Sequence, residues 1–558
     1  MARAVLHAIG VGGFNCQRTA SGVPPQRVRV LTMLESRGES GQVVVVVALA
    51  MLGLVGFTAL AVDVGYLRRQ RNLMQTAADS AAIAGAWALS QNEDWQAAGQ
   101  NDASLNGFTN GVNGVSVTLS QPTSGQYAGA QYVQALVSMN QRTFFMRAFG
   151  MDSVPLTASA IAYAGNSRNC VYALDPSAQA ALSLASGASL TSSCGVIVNS
   201  TSNQALQVTS GGDVTAPWVG LGSSSPQGPL PANTHYPIAQ VSDPLAYLVP
   251  PSFSNANSNP STSGCLQPGF TVSSSQQKVV APCTYTSQIM VVSGASLTFQ
   301  SGNYTLEGGL TAAANASVTL SPGNYTIENG ISLSSSSRAN LGQGNYYITG
   351  GFAVSSGATA TLGSGSYFIQ GPLSNGNCDL GALELSGGGS ATLGTGTYVL
   401  EGGIGVGSGS TLSLGAGTYI LEGGGMDVCS AGTLTGSGVT FYNTQNGSSY
   451  PYQGINLNSG SKISLSAPTS GPLAGILFFQ DRSVGSSGAP SYMNSGADGT
   501  FQGALYFPTT SLNYSSGADA AYTILVADTV HMSSGSTLNN DYSSLADGSP
   551  IKQAILVQ

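Results

Sequence analysis

SGNYTLEGG at 301–309, PGNYTIENG at 322–330, QGNYYITGG at 343–351, GSYFIQGP at 365–372, GTYVLEGG at 396–403 and GTYILEGG at 417–424 repeat one phrase. Their tyrosines, Tyr304, Tyr325, Tyr346, Tyr367, Tyr398 and Tyr419, are spaced by 21, 21, 21, 31 and 21 residues, the long step being a ten-residue insertion around Cys378. The phase holds at other positions. Phe299, Leu320, Leu341, Leu362, Leu393 and Leu414 stay in register, as do Leu306, Ile327, Ile348, Ile369, Leu400 and Leu421. A third series runs Leu310, Ile331, Phe352, Leu373 and Ile404, with Met426 one residue late. Each period therefore carries three short strand-like segments separated by glycine turns. That is what one coil of a parallel β-helix requires, with successive coils about 4.8 Å apart and equivalent apolar residues in inward ladders. The glycines two residues before each tyrosine are expected at tight corners with φ > 0. A sandwich of hairpins gives no reason for a constant 21-residue phase.

Outside the clearest repeats, 295–430, the texture loosens. Leu182 to Ala216 has short strands at a longer period, and Cys170 and Cys194, 24 residues apart, can stack on neighbouring coils within disulfide distance. Residues 217–290, with several Pro and Ser plus Cys265 and Cys283, read as an excursion. GILFFQDR at 475–482, GALYFPTTSLNY at 503–514 and TILVADTVHM at 523–532 supply further strands.

Composition agrees with stacked β-structure. Only 7% of the 558 residues are charged, against roughly 25% in ordinary soluble domains, while glycine reaches 74 residues. A net charge of -8 offers no basic stripe, so nucleic acid is excluded as a partner. Of seven cysteines, Cys16 stands apart from Cys170, Cys194, Cys265, Cys283, Cys378 and Cys429, an even set that points to disulfides in an oxidising compartment. None lies in a CxxC pair, and with three histidines in the chain neither a zinc site nor any other cofactor is expected.

Near the N-terminus, VVVVVALAMLGLVGFTALAV from Val43 to Val62 holds twenty residues without a charge, enough at 1.5 Å per residue to span a hydrocarbon core of about 30 Å. Its Val, Leu and Phe residues contribute roughly 4 to 7 kcal/mol to insertion. The run exceeds a signal-peptide core and no small-residue cleavage site follows, so it reads as a retained single-pass anchor. Arg3, Arg18, Arg27, Arg29 and Arg37 precede it and Arg68, Arg69 and Arg71 follow, which favours the N-terminus inside. With a start at Met33 only Arg37 would remain in front and the bias would reverse. The Pro-free stretch 64–89 continues the helix, with Leu73, Ala77, Ala81 and Ala84 as a small-residue packing stripe opposite Arg71 and Asp79.

The order RGESGQ, apolar span, Asp63, then QTAADSAAIAGA from Gln75 to Ala86 resembles the N-terminal region of the TadE/TadG-like Flp pilus-assembly proteins. Gln75, Ala78, Asp79, Ala82 and Gly85 carry that motif. RTFFMRAFGMDSVPLTASAIAYAG, 142–165, is similar to the end of that family's first extracytoplasmic module. The resemblance implies an inner-membrane protein acting with a Tad/Flp pilus or secretion apparatus. Prepilins of that system carry Glu at the fifth position after the processing glycine. Counted from Gly38 that position is Val43, which favours a stationary accessory over a processed fibre subunit.

The expected organisation is a cytoplasmic segment over 1–42, with 1–32 an over-extended start, and a transmembrane helix over 43–62. A TadG-like helix with a small α+β module over 63–165 and an extracytoplasmic β-helix domain over 166–558 follow. Glu307, Glu328, Glu401 and Glu422 share one repeat position, interrupted by Thr349 and Gln370, and read as solvated turn residues rather than a Ca²⁺ ladder. Asp481, Arg482 and Asp528 lie near one another, and an Asp–Arg pair is more often structural than catalytic. No nucleophile–base order or phosphate loop occurs, so no enzyme is expected. The leading reading is an anchored structural or adhesive accessory of the pilus system, with pilus or envelope components as partners. A polysaccharide-active β-helix enzyme and a module binding extracellular glycan or ice are the alternatives.

Overall fold

The computed structural model of the protein describes residues 40–558 except 186, 256–263, 375–376, 497–498 and 517–519. Cys16, Met33, Gly38 and the arginines ahead of the span lie outside the described residues. The chain divides into two compact units, one comprising the residues up to Arg71 with Asn140–Leu156, the other Asn72–Met139 with Thr157–Gln558.

Helix α1 is continuous over Ser40–Ser90. In the first unit its apolar run is exposed on all sides, with Val44 at 67% and Phe57 at 75%, and it is long and apolar enough to cross a membrane. Among the described residues nothing covers this run, and a helix that is apolar on every face over such a length has the composition of a membrane span. The other part of this unit is a short loop carrying one 3-10 turn, Met146–Phe149.

The second unit begins with the rest of α1 and with α2, Trp95–Leu105, whose first turn is capped by the Asp94 carboxylate accepting from the N–H groups of Gln96 and Ala97 at 3.1 and 3.0 Å. They accompany an antiparallel sheet of β1 (Ser116–Ser120), β2 (Tyr132–Arg142), β3 (Ser153–Asn166) and, beside β3, the C-terminal strand Lys552–Leu556. Here α1 buries Met74, Ala77, Ala78, Ala81, Ala82 and Ala86 completely. The stripe expected through Leu73 and Ala84 is therefore rotated: Leu73 is 44% exposed and Ala78 and Ala82 take the contact. The reason is close approach. A Cβ on Gly85 would lie 3.0 Å from Val133, and one on Gly99 would lie 2.8 Å from the Ala81 carbonyl, so the smallest side chains define the packed face.

From Asn169 onward the chain winds into a parallel β-solenoid. The tyrosine-bearing strands pair in register, Tyr304 with Tyr325, Tyr325 with Tyr346, Tyr346 with Tyr367, Tyr367 with Tyr398 and Tyr398 with Tyr419. A second ladder runs through Ser296–Phe299, Ser317–Leu320 and their successors, a third through Leu310–Ala312, Ile331–Leu333 and Phe352–Val354. Inward positions of all three are essentially free of solvent and form one continuous core. The six tyrosine rings stack at 5.1, 5.0, 4.8, 4.7 and 4.9 Å between centroids, with nearly parallel planes. Each hydroxyl donates to the carbonyl four residues earlier, from Tyr304 to Gln300 at 2.8 Å through Tyr419 to Gly415 at 2.7 Å. Burial, with Tyr285 adding repulsion, pushes the Tyr304 hydroxyl up to about 12.

Two details of the repeat differ from expectation. The partner of Phe352 is Leu383, not Leu373, because the insertion falls between the second and third strands of its coil and displaces Leu373 from the ladder. The corner glycines are required by proximity more than by dihedral angle. Only Gly302 of that series has a positive φ, at 150°. At Gly323, Gly344, Gly365, Gly396 and Gly417 a Cβ would lie 1.9, 1.7, 1.9, 1.9 and 2.0 Å from the carbonyl oxygen of the glycine one coil below. Corners stacked this tightly leave no room for a side chain.

The stacking order is not the chain order. Thr523–Ala527 pairs in parallel with Asn169–Ala173, which pairs with Gly195–Val198, which pairs with Val219–Leu221. The other ladders repeat this arrangement: Val530–Met532 with Leu182–Leu184, and Ser536–Leu538 with Ser189–Ser192. The first coils in sequence thus continue the stack past the last ones. The described part of the excursion lies along the solenoid as a strap, with Asp243 at Tyr506, Phe253 at Tyr442 and Asn255 at Glu422, and the chain is back in the stack at Leu266.

Candidate functional site

Asp63 directly follows the apolar run and has 1% of its surface exposed. Its carboxylate accepts from three consecutive backbone N–H groups, Phe144 at 2.9 Å, Phe145 at 2.9 Å and Met146 at 2.6 Å. These are the free donors at the start of the Met146–Phe149 turn, so the side chain caps that turn from another part of the chain. Tyr66, one helical turn on, packs edge-on against Phe144 with centroids 5.0 Å apart. The loop is closed by Thr143, whose N–H donates to the Asp152 carbonyl at 3.1 Å and whose hydroxyl donates to the Met151 carbonyl at 2.5 Å. Sequence reading placed Asp63 in the motif order but gave it no role. A lone acid after twenty uncharged residues, with no base within a turn, was the available signal.

The motif residues on α1 act as packing and orienting groups. Ala78 and Ala82 are fully buried, and a Cβ on Gly85 would press on Val133 at 3.0 Å and on the Trp95 carbonyl at 3.2 Å. The Gln75 amide donates to the Asp79 carboxylate at 2.7 Å and to the Ser159 carbonyl on β3 at 3.0 Å.

On the solenoid, Glu401 and Glu422 are register partners on adjacent coils and are 4% and 5% exposed. The expectation of a solvated row fails for these two, although Glu307 and Glu328 are exposed. The cause is cover from elsewhere. Asn446 and Gln370 donate amide hydrogens to Glu401, and Asn255 of the strap donates to Glu422. Burial raises the Glu422 carboxyl to about 7, the Asn255 amide pulling it down and the charge of Glu401 pushing it up. Arg482 does not pair with Asp481 or Asp528. It donates to Tyr506 at 2.7 Å and to the strap carbonyls of Leu248 and Leu245 at 3.0 and 2.8 Å, and lies 4.0 Å from Asp243. It is a clamp for the strap.

Six cysteines form three disulfides: Cys170–Cys194, Cys265–Cys283 and Cys378–Cys429, with Cα separations of 5.7, 5.0 and 5.7 Å. The first joins neighbouring coils, the second ties the re-entry of the strap, and the third fastens the insertion to the coil of Met426–Val428. Among the described residues no group of three or more His, Cys, Asp or Glu could hold a metal ion. A cleft of about 790 Å³ lies beside the first coil, lined by Trp218, Tyr163, Tyr542, Arg168 and asparagines, with no carboxylate among its lining residues. Aromatic faces with amides suit a polar organic ligand but supply no acid pair for hydrolysis.

The fold and these sites define a class: a β-solenoid joined through a small α+β module to a membrane-length helix. Residues 41–88 match the family model described as Putative Flp pilus-assembly TadE/G-like. That match, with the apolar helix, supports a membrane-anchored protein associated with a Tad/Flp pilus system. The segment 142–165 and the solenoid lie beyond the matched residues. No curated protein and no solved structure matches the chain.

Proposed function

We propose that the protein is a stationary, non-enzymatic accessory of the Tad/Flp pilus or secretion apparatus, anchored by α1, whose disulfide-braced solenoid lies outside the cytoplasm and makes adhesive or structural contacts. The observation that carries this reading is the pilus-assembly match lying on the helix that is apolar enough to cross a membrane. Three disulfides support an oxidising compartment for the solenoid. Support for a non-enzymatic role comes from the acidic and basic groups of the solenoid. Glu401 and Glu422 are held by amides, and Arg482 by strap carbonyls, so each is engaged in holding the fold together.

In-cell crosslinking of the full-length chain tests the assignment. Recovery of Tad/Flp pilus components, together with loss of surface fibres or of attachment when the gene is deleted in frame, is the expected result. Unchanged fibres and attachment, with no pilus component enriched, would contradict it.

A further inference from the structure

The loop held by Asp63 has a surface unlike that of a soluble turn. Phe144, Phe145, Phe149 and Met151 are 56%, 48%, 80% and 47% exposed, with Arg142 just ahead of them and Arg147 among them, both exposed. Four large apolar side chains within eight residues exceed what a water-facing loop carries without a partner. Its position supplies the partner. The three hydrogen bonds to Asp63 fix the backbone of Phe144–Met146 beside the first residue after the apolar run. When Val43–Val62 fills the hydrocarbon core, that residue lies at the boundary between acyl chains and headgroups. The Tyr66–Phe144 contact holds the loop against the same stretch of helix. Aromatic rings settle at this depth, and arginines there reach lipid phosphates.

We propose that Arg142–Met151 is a second, interfacial membrane anchor: Phe144, Phe145, Phe149 and Met151 enter the headgroup layer of the bilayer that α1 crosses, and Arg142 and Arg147 engage its phosphates. The loop then fixes the rotation and depth of α1 rather than merely adding affinity. The inference rests on the membrane-anchored reading, and the test separates the two.

The full chain carrying Cys16→Ser, with its disulfides left intact, is reconstituted into phosphatidylethanolamine–phosphatidylglycerol vesicles. An environment-sensitive fluorophore is placed in turn at Phe149→Cys, Phe145→Cys and Leu54→Cys. Phe149 and Leu54 are largely exposed, so labelling there leaves the folded protein intact. The expected result is several-fold quenching of all three labels by spin-labelled phosphatidylcholine and shielding from aqueous iodide, with the loop labels shallower than Leu54. Lipid quenching at Leu54 with iodide quenching at both loop positions overturns the inference and leaves the anchor standing. Iodide quenching at Leu54 as well overturns both.

Discussion

At the scale of single residues, charge and close approach decide more than propensity does. Glu422 is the clearest case. Its carboxyl is raised to about 7 from the 4.5 of an exposed group, so the folded state holds the proton more tightly than the unfolded chain. The associated stability is fully present below about pH 4.5 and is lost as pH rises through about 7. Glu422→Gln should therefore flatten that part of the stability–pH curve and raise stability at pH 8 by about 1–2 kcal/mol after solvent screening, as read by denaturant unfolding. Gly344→Ala should have the opposite sign. Its Cβ would lie 1.7 Å from the Gly323 oxygen, and forcing the corner open should cost about 1–3 kcal/mol. Asp63→Ala removes the acceptor for three N–H groups and should accelerate amide exchange at Phe144–Met146 by an amount equivalent to about 1–3 kcal/mol.

At the scale of elements, the solenoid was legible because its period, its inward ladders and its stacked tyrosines all follow from one 21-residue phase. The registers Tyr304 to Tyr419 and Phe299 to Leu414 were readable without coordinates, since each ladder repeats large apolar or aromatic residues at 21-residue steps broken only by the single insertion. Leu373 misled because it keeps the numerical phase while the insertion has already left the coil, and Leu383 pairs in its place. The glycine corners were placed correctly but for the wrong reason, since a coil-to-coil distance leaves no trace in a single period. The burial of Glu401 and Glu422 was not legible at all. It depends on Asn446 and on a strap residue, Asn255, almost 170 positions from its partner, as the 167-residue separation records. The ladder predicts a graded response. Tyr346→Phe, which loses only the bond to the Gly342 carbonyl, should cost about 1 kcal/mol in equilibrium unfolding. Tyr346→Ala, which empties one place in the stack, should cost about 3–5 kcal/mol.

At the scale of the whole molecule, the repeat domain is closed by its own ends. The coils beginning at Asn169 stack on the coil of Thr523–Ala527, and Lys552–Leu556 adds to β3 of the module. Nothing in the sequence marks this order, because the loose flanking repeats fit equally at either end and only tertiary pairing chooses. The strap follows of necessity, since the chain must travel from one end of the stack to the other before it can wind back. The anchored, extracytoplasmic placement of this domain is the central claim, and thiol labelling tests it most directly. Intact cells with a permeabilised outer membrane are treated with a membrane-impermeant maleimide, with and without prior reduction. The account predicts labelling of Cys378 and Cys429 only after reduction and without lysis of the inner membrane. Labelling that needs inner-membrane lysis and no reductant would place the solenoid in the cytoplasm with free thiols and contradict the account.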